Sequence, residues 1–274
     1  MLSPSPSVPL SFAHLAALDV PPADLVEVLA KAGFASACVR TRKAGPGSPE
    51  YPLSTAAERQ EVKARIAATG VTIEQIEMVC LGPSLDVEEL KPMLEVGVDI
   101  GATRLVTCGD DADFSLVAGK LAEVCELARG YGMSVDIEFM PFRPMRTLGD
   151  ALQVLKLADQ PNAYLMFDAL HFRRSNSSME DLRSVPAQLI GAYQLCDAPA
   201  EPPADLMFEA RNARLLPGQG GLGLDEIMDA SPADVPIAVE VPLQAHYPHL
   251  DVVERCKLMA SGTRTFLERR AARS

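Results

Sequence analysis

Four oxygen-bearing side chains stand at or just past the ends of short apolar runs: Glu138 in VDIEFMP, Asp168 in YLMFDALH, Gln194 in GAYQLCD and Glu240 in IAVEVP. Carboxylate and amide oxygens suit a hard divalent cation. An ionised carboxylate behind VDI, LMF or IAV is costly unless something pairs with it, and acids gathered at one point repel each other unless a cation lies between them. Taken singly, each acid reads better as a helix cap or as the partner of a neighbouring base. Four such residues on successive strand ends point together to one metal ion.

Strand-like and helix-like segments alternate along the whole chain, the pattern of a parallel sheet with helical crossovers. LSFAHLAAL, SACVRT, VTIEQIEMVCLG, TRLVTCG, MSVDIEFMP, AYLMFDAL, GAYQLCD and IAVEVP read as eight strands, and eight helical segments are counted between and after them. This predicts an α/β chain forming a single (β/α)8 TIM barrel over residues 1–274, with 1–9 and 270–274 as flexible tails. In such a barrel every strand ends on the same face, so the four oxygen donors converge on one bowl. The longest irregular segment, APAEPPADLMFEARNARLLPGQGGLG, follows the seventh strand, and a compact domain keeps such a stretch for function or as a surface excursion.

Composition narrows the partners. At 48% hydrophobic and 23% charged residues the chain has the profile of a soluble domain with a sizeable core. A net charge of −12 argues against nucleic acid or an anionic membrane as partner. The opening MLSPSPSVPL lacks the features of a secretory signal and no run suffices for a membrane span, so a cytoplasmic location is expected. Cys38, Cys80, Cys108, Cys125, Cys196 and Cys256 are scattered without a CxxC pair and read as reduced core thiols.

The run Glu…Asp-x-x-His…Gln…Glu, with IEFMP, FDALH, YQLCD and VEVP at the strand ends, resembles the xylose isomerase-like barrel superfamily, in particular its sugar phosphate isomerase/epimerase branch. The likeness spans nearly the whole chain. Members include hydroxypyruvate isomerase, ketose 3-epimerases, inosose dehydratase and 3-dehydroshikimate dehydratase. The resemblance implies Glu138, Asp168, Gln194 and Glu240 as metal ligands, Glu138 and Glu240 as acid and base, and His171 near substrate oxygen. Gln194 stands where the ketose epimerases carry histidine, which is closer to the hydroxypyruvate isomerase and dehydroshikimate dehydratase members. One Mg²⁺ or Mn²⁺, with Co²⁺ or Zn²⁺ as substitutes, would polarise a hydroxy-carbonyl substrate and stabilise the enediolate left by proton loss. Return of the proton to a neighbouring carbon is isomerisation, return to the opposite face is epimerisation, and loss of a β-hydroxyl is dehydration, the alternative lyase reading.

A second signal concerns the substrate. Segments expected at the barrel mouth carry Arg40, Arg42, Lys43, Arg143, Arg146, Arg173, Arg174, Arg211 and Arg214, although acids such as Glu201 and Glu209 lie near enough to neutralise some of them. Guanidinium matches carboxylate and phosphate, so a small anionic hydroxy-ketone or keto acid is expected. Arg211 and Arg214 are favoured because RNARLLPGQG resembles the family's Arg-x-x-Pro-Gly-x-Gly substrate loop, with His14 and Arg40 as further binding candidates. His14 reads as well as a bonded core histidine. The pair His246 and His249 lies in a proline-containing loop, Glu77 suits a strand-end salt bridge, and GQGGLG is a rim turn without the Lys-Ser/Thr of a nucleotide site. Homodimers are the expected assembly. An endonuclease IV-like DNA repair enzyme conflicts with the charge and the four histidines, and a metal-free binding protein conflicts with the intact glutamates.

Overall fold

The computed structural model describes residues 8–45, 47–231 and 235–273. Eight parallel strands pair in chain order and close on themselves: β1 (Leu10–Ala13), β2 (Ser36–Arg40), β3 (Thr72–Leu81), β4 (Arg104–Gly109), β5 (Ser134–Glu138), β6 (Ala163–Asp168), β7 (Ile190–Leu195) and β8 (Ile237–Val239). The helices are α1 (Pro22–Ala32), α2 (Ala56–Thr69), α3 (Lys91–Ile100), α4 (Phe114–Gly130), α5 (Leu148–Ala158), α6 (Ala169–Arg174), α7 (Met179–Ser184), α8 (Leu206–Asn212), α9 (Leu224–Ala230) and α10 (Val252–Ala271). The (β/α)8 TIM barrel expected from the alternation is the fold observed. No helix among the described residues is long and apolar enough to cross a membrane.

Local sequence explains why the helices start and stop where they do. Thr55, Thr147, Ser178 and Asp251 each open a capping box, with side chain and backbone exchanging bonds across the first turn. Gly33, Gly70 and Gly101 close α1, α2 and α3 in the left-handed conformation.

Strand periodicity splits the interior in two. Outward residues such as Val135, Ile137, Leu165 and Phe167 join the large core between barrel and helices. Inward residues Cys38, Val106, Cys108, Met166 and Ala192 form a second, sulfur-rich cluster with Met78 and Met140. Because side chains two apart share a face, Arg40, Glu138, Asp168 and Gln194 lie on the inward face just above Cys38, Asp136, Met166 and Ala192.

The N-terminal end of the barrel is plugged by a polar group that the sequence reading passed over. Asp136, fully buried, pairs with Arg104 and accepts from Gln75 Nε2 (3.3 Å), while the Arg104 guanidinium lies over the Tyr164 ring. Gly191 is required beside it, since a Cβ there would collide with Arg104 and Asp136. The plug lies far from the mouth, and burial outweighs Arg104 in raising the Asp136 pKa, so its role is structural rather than chemical.

Several expected boundaries are corrected. The first strand ends at Ala13, and His14–Ala17 form a 3-10 turn. Ala169 and Leu170, read as the end of the sixth strand, open the helix Ala169–Arg174, and Leu206–Asn212, read as irregular, are helical. Residues 1–7 and 274 of the expected tails lie outside the described residues. Positions 270–273 are not loose: Arg270 pairs with Asp225 and Asp229, and Arg273 pairs with Asp225.

Candidate active site

Glu138 is the last residue of β5, Asp168 the last of β6, Gln194 lies one before the end of β7, and Glu240 immediately follows β8. All four are buried at the C-terminal face of the barrel. Glu138, Asp168 and His171 each present a ligand atom within 4.8 Å of the others. Glu240 is tied to this group through two neighbours: Gln194 Nε2 donates to Glu240 Oε1 (3.3 Å), and Arg214 pairs with both Glu240 Oε2 (2.8 Å) and Asp168 Oδ2 (2.6 Å). The other oxygen of Asp168 caps α6 by accepting from the His171 amide (2.8 Å), so the cap reading and the site reading of this acid are both realised.

Charge in this cluster is not balanced by protein alone. Three carboxylates face one guanidinium, a formal excess of −2 when all are ionised. Burial, then the charges of Glu240 and Asp168, push the Glu138 carboxyl well above its usual range. Burial likewise raises Glu240 to about 8, with Arg214 opposing. Burial alone would raise Asp168 too, but Arg214 and His171 hold it low. Burial depresses His171 to about 4, so the imidazole that faces Glu138 Oε1 across 3.5 Å is neutral. Two buried atoms here have no hydrogen-bond partner, Gln194 Oε1 and His171 Nδ1. An orphaned amide oxygen beside under-neutralised carboxylates fits a divalent cation, which would supply the missing charge and accept the oxygen's lone pair.

A pH dependence follows for chelator-treated protein. The folded state keeps a proton on Glu240 that the unfolded chain releases above 4.5, so this contribution is complete below 4.5 and is lost as pH rises to about 8. The depressed His171 works in the opposite sense below 6.5, and Cys80, lowered to about 7, does so between 7 and 9, but the Glu138 carboxyl, raised well above its usual range, adds to the loss from Glu240 and outweighs the thiol. Between pH 6.5 and 8 the melting temperature should therefore fall, and saturating Mn²⁺ should abolish the fall. Calorimetry across that window checks it; a flat or rising profile without metal counts against the coupling.

Above the cluster opens a cavity of about 1160 Å³ lined by Glu138, His171, Arg214 and Glu240 and by Arg40, Arg42, Lys43, Arg143 and Arg211. Of the basic residues expected at the mouth, Arg146, Arg173 and Arg174 do not line it. Arg173 is held by the Leu222 carbonyl and Glu226, and Arg174 by Glu209 in a buried pair joining α6 to α8. Lys43 pairs with Glu50 and Arg143 with Asp110. Arg211 and Arg42 have no side-chain hydrogen bond or ion pair among the described residues. Burial, then the nearby Arg143 and Arg40 charges, lower the Arg211 pKa, which marks a cation lacking an acid.

Three binding candidates are corrected in role. His14 is fully buried, with Nε2 against the Val20 carbonyl (2.9 Å) and Nδ1 accepting from the Arg40 amide (2.9 Å), so neither nitrogen is free for a ligand. Arg40 lines the wall but commits its donors to Glu77 (2.8 and 2.9 Å) and Ser48, the strand-end salt bridge expected of Glu77. Arg214, fully buried, gives its Nε to the Ala210 carbonyl and its two terminal nitrogens to acids; it is an internal counter-ion rather than an open anion clamp. His246 bonds the Ala213 carbonyl and His249 packs on Tyr247; neither belongs to a metal-competent group among the described residues.

Asp197 escaped the sequence reading. Buried two residues past the end of β7, it accepts from the amides of Ala198, Gly218 and Leu222 and so pins the PGQGGLG turn that follows Arg214. Gly220 has no room for a side chain because a Cβ would strike the Ala198 carbonyl and Asp197. The signal lay in the acid just after YQLC, facing a glycine-rich segment whose amides need an acceptor.

A family model described as Xylose isomerase-like TIM barrel matches residues 26–246. The chain belongs to this family. Among curated relatives, an inosose isomerase of Bacillus licheniformis is 31% identical over 150 residues, covering 51% of this chain and 52% of that one. A 3-dehydroshikimate dehydratase of Pseudomonas aeruginosa is 28% identical over 53% of this chain and 23% of its own length. The chain thus matches about half, or less, of the curated relatives' lengths. Among solved structures, the IOLI protein crystallised with a zinc atom superposes with TM-score 0.77 at 19% identity, covering 97% of this chain and 99% of that one.

Proposed function

We propose that this xylose isomerase-like barrel is a divalent-metal-dependent isomerase or epimerase of a small anionic hydroxy-carbonyl compound. The observation that carries this reading is the uncompensated carboxylate cluster of Glu138, Asp168 and Glu240, with the orphaned Gln194 Oε1, beneath a cavity holding the unpaired Arg211. Glu138, Asp168, Gln194 and Glu240 would hold the ion. Once bound, the ion would polarise the substrate carbonyl and offset the charge of an enediolate.

The chain's own residues divide the remaining work. Glu138 and Glu240 approach the bowl from β5 and β8, so one can remove the proton next to the carbonyl and the other deliver it. Neutral His171, wedged against the Phe142 ring, can donate a hydrogen bond to a substrate oxygen without adding charge. Arg214 keeps Asp168 ionised, opposes the burial that raises Glu240, and aims both carboxyl groups. Arg211 receives the distal carboxylate or phosphate, where a guanidinium fork matches its geometry.

The relative named 3-dehydroshikimate dehydratase favours a second reading in the same pocket, elimination of water from a cyclic keto acid. One experiment tests both: chelator-stripped protein is reloaded with Mg²⁺ or Mn²⁺ and assayed on ketoses, sugar phosphates and keto acids. Product that absorbs as a conjugated enone or aromatic acid indicates elimination. Turnover without such absorbance indicates isomerisation or epimerisation, and equal activity with and without metal would sink the proposal. With the substrate found, Arg211→Ala should raise KM by about tenfold to a hundredfold with little change in kcat, the loss expected of one charge-assisted hydrogen bond made equally in ground and transition states.

A further inference from the structure

Cys80 and Cys108 are register partners on adjacent strands β3 and β4, and their sulfurs lie 3.6 Å apart. Neighbouring strands run about 4.8 Å apart, inside the roughly 4.4–6.8 Å between α-carbons that a disulfide tolerates. The backbone is therefore already placed for a cross-link, and the sulfurs need close by only about 1.5 Å to reach bonding distance. Cys108 is buried, whereas Cys80 is partly exposed and lines the substrate cavity. The other four cysteines are buried and none has another cysteine as hydrogen-bond partner: Cys38 donates to Glu77, Cys196 accepts from Arg214, and Cys125 and Cys256 sit in the core.

We propose that Cys80 and Cys108 form a redox-active dithiol in the wall of the substrate pocket, which peroxides close to a cross-strand disulfide. Cys80, reached from the cavity, attacks the peroxide O–O bond; its sulfur takes one oxygen as sulfenic acid and the other leaves as water. The Cys108 sulfur then displaces the sulfenic oxygen as a second water, so that two thiols and one hydrogen peroxide give one disulfide and two waters. The surroundings favour Cys80 as the attacking member. The hydrogen bond from Cys108 lowers the Cys80 pKa to about 7, burial opposes this and the nearby Arg143 charge adds to it. Cys108 is pushed the other way and keeps its proton until the second step.

The test uses the full chain, reduced, desalted and treated with a few equivalents of hydrogen peroxide at neutral pH before alkylation in denaturant. The expected product alkylates at four of six cysteines and yields tryptic peptides 66–104 and 105–120 joined by a bond that dithiothreitol breaks. Cys108→Ser should leave a Cys80 sulfenic acid that dimedone traps, and Cys80→Ser should protect Cys108 from oxidation. Six alkylated cysteines, a different pairing, or sulfinic acid at Cys80 with Cys108 still free would each overturn the proposal, and the wild-type peptide map decides even if a variant folds poorly.

Discussion

Glu138→Gln and Glu240→Gln should each lower kcat by about a thousandfold, within the span that loss of a general acid or base produces, while the far-ultraviolet circular dichroism stays that of the wild type. The substitution conserves shape and removes the ability to take a proton. Metal-free Glu138→Gln should also melt no lower than wild type, because the amide replaces a carboxyl that burial and its acidic neighbours already disfavour as an anion. Measuring turnover with saturating metal separates lost proton transfer from lost affinity for the ion. Activity within tenfold of wild type in both variants would remove these glutamates from acid and base roles.

Arg214→Met should have the largest effect on folding. Arg214 is fully enclosed and neutralises two carboxylates at 2.6 and 2.8 Å. Removing one partner of a buried ionic group costs about 3–5 kcal/mol, since the remaining charges are left in a medium that solvates them poorly. Metal-free variant protein should therefore unfold at markedly lower denaturant concentration, and a divalent ion should restore part of the loss by binding only the folded state. Urea titrations with chelator and with Mn²⁺ check this. An unchanged midpoint without metal would mean that water or rearranged side chains already compensate Asp168 and Glu240.

The sequence made some of this legible for a definable reason. Acids such as Glu138 and Glu240 stand out because apolar residues flank them, and a buried charge advertises its need for a partner. The barrel follows from eight apolar runs separated by helical periodicity. What stayed hidden depends on contacts between distant positions. Nothing near Asp136 names Arg104, nothing near Cys80 names Cys108, and the bond from the Arg40 amide to His14 ties β2 to the turn that follows β1. Arg214 was recognised in its loop, but its direction was not, because a loop motif does not say whether a long side chain reaches outward or folds inward. The Asp136–Glu138 alternation within one strand was a usable signal: two acids on the same face predict two separate polar layers inside the barrel.

The permanent charge of Arg214 has a bearing on which ions the bowl can accept. A guanidinium does not surrender its proton under conditions where proteins fold, so that positive contribution is present at every working pH, unlike a lysine in its place. With the three acids ionised, a monovalent ion such as sodium would leave the bowl anionic and a lanthanide would overshoot neutrality. In the proposed metal site, discrimination by valence would thus precede discrimination by radius or hardness, and replacement of a single arginine would shift that preference toward trivalent cations.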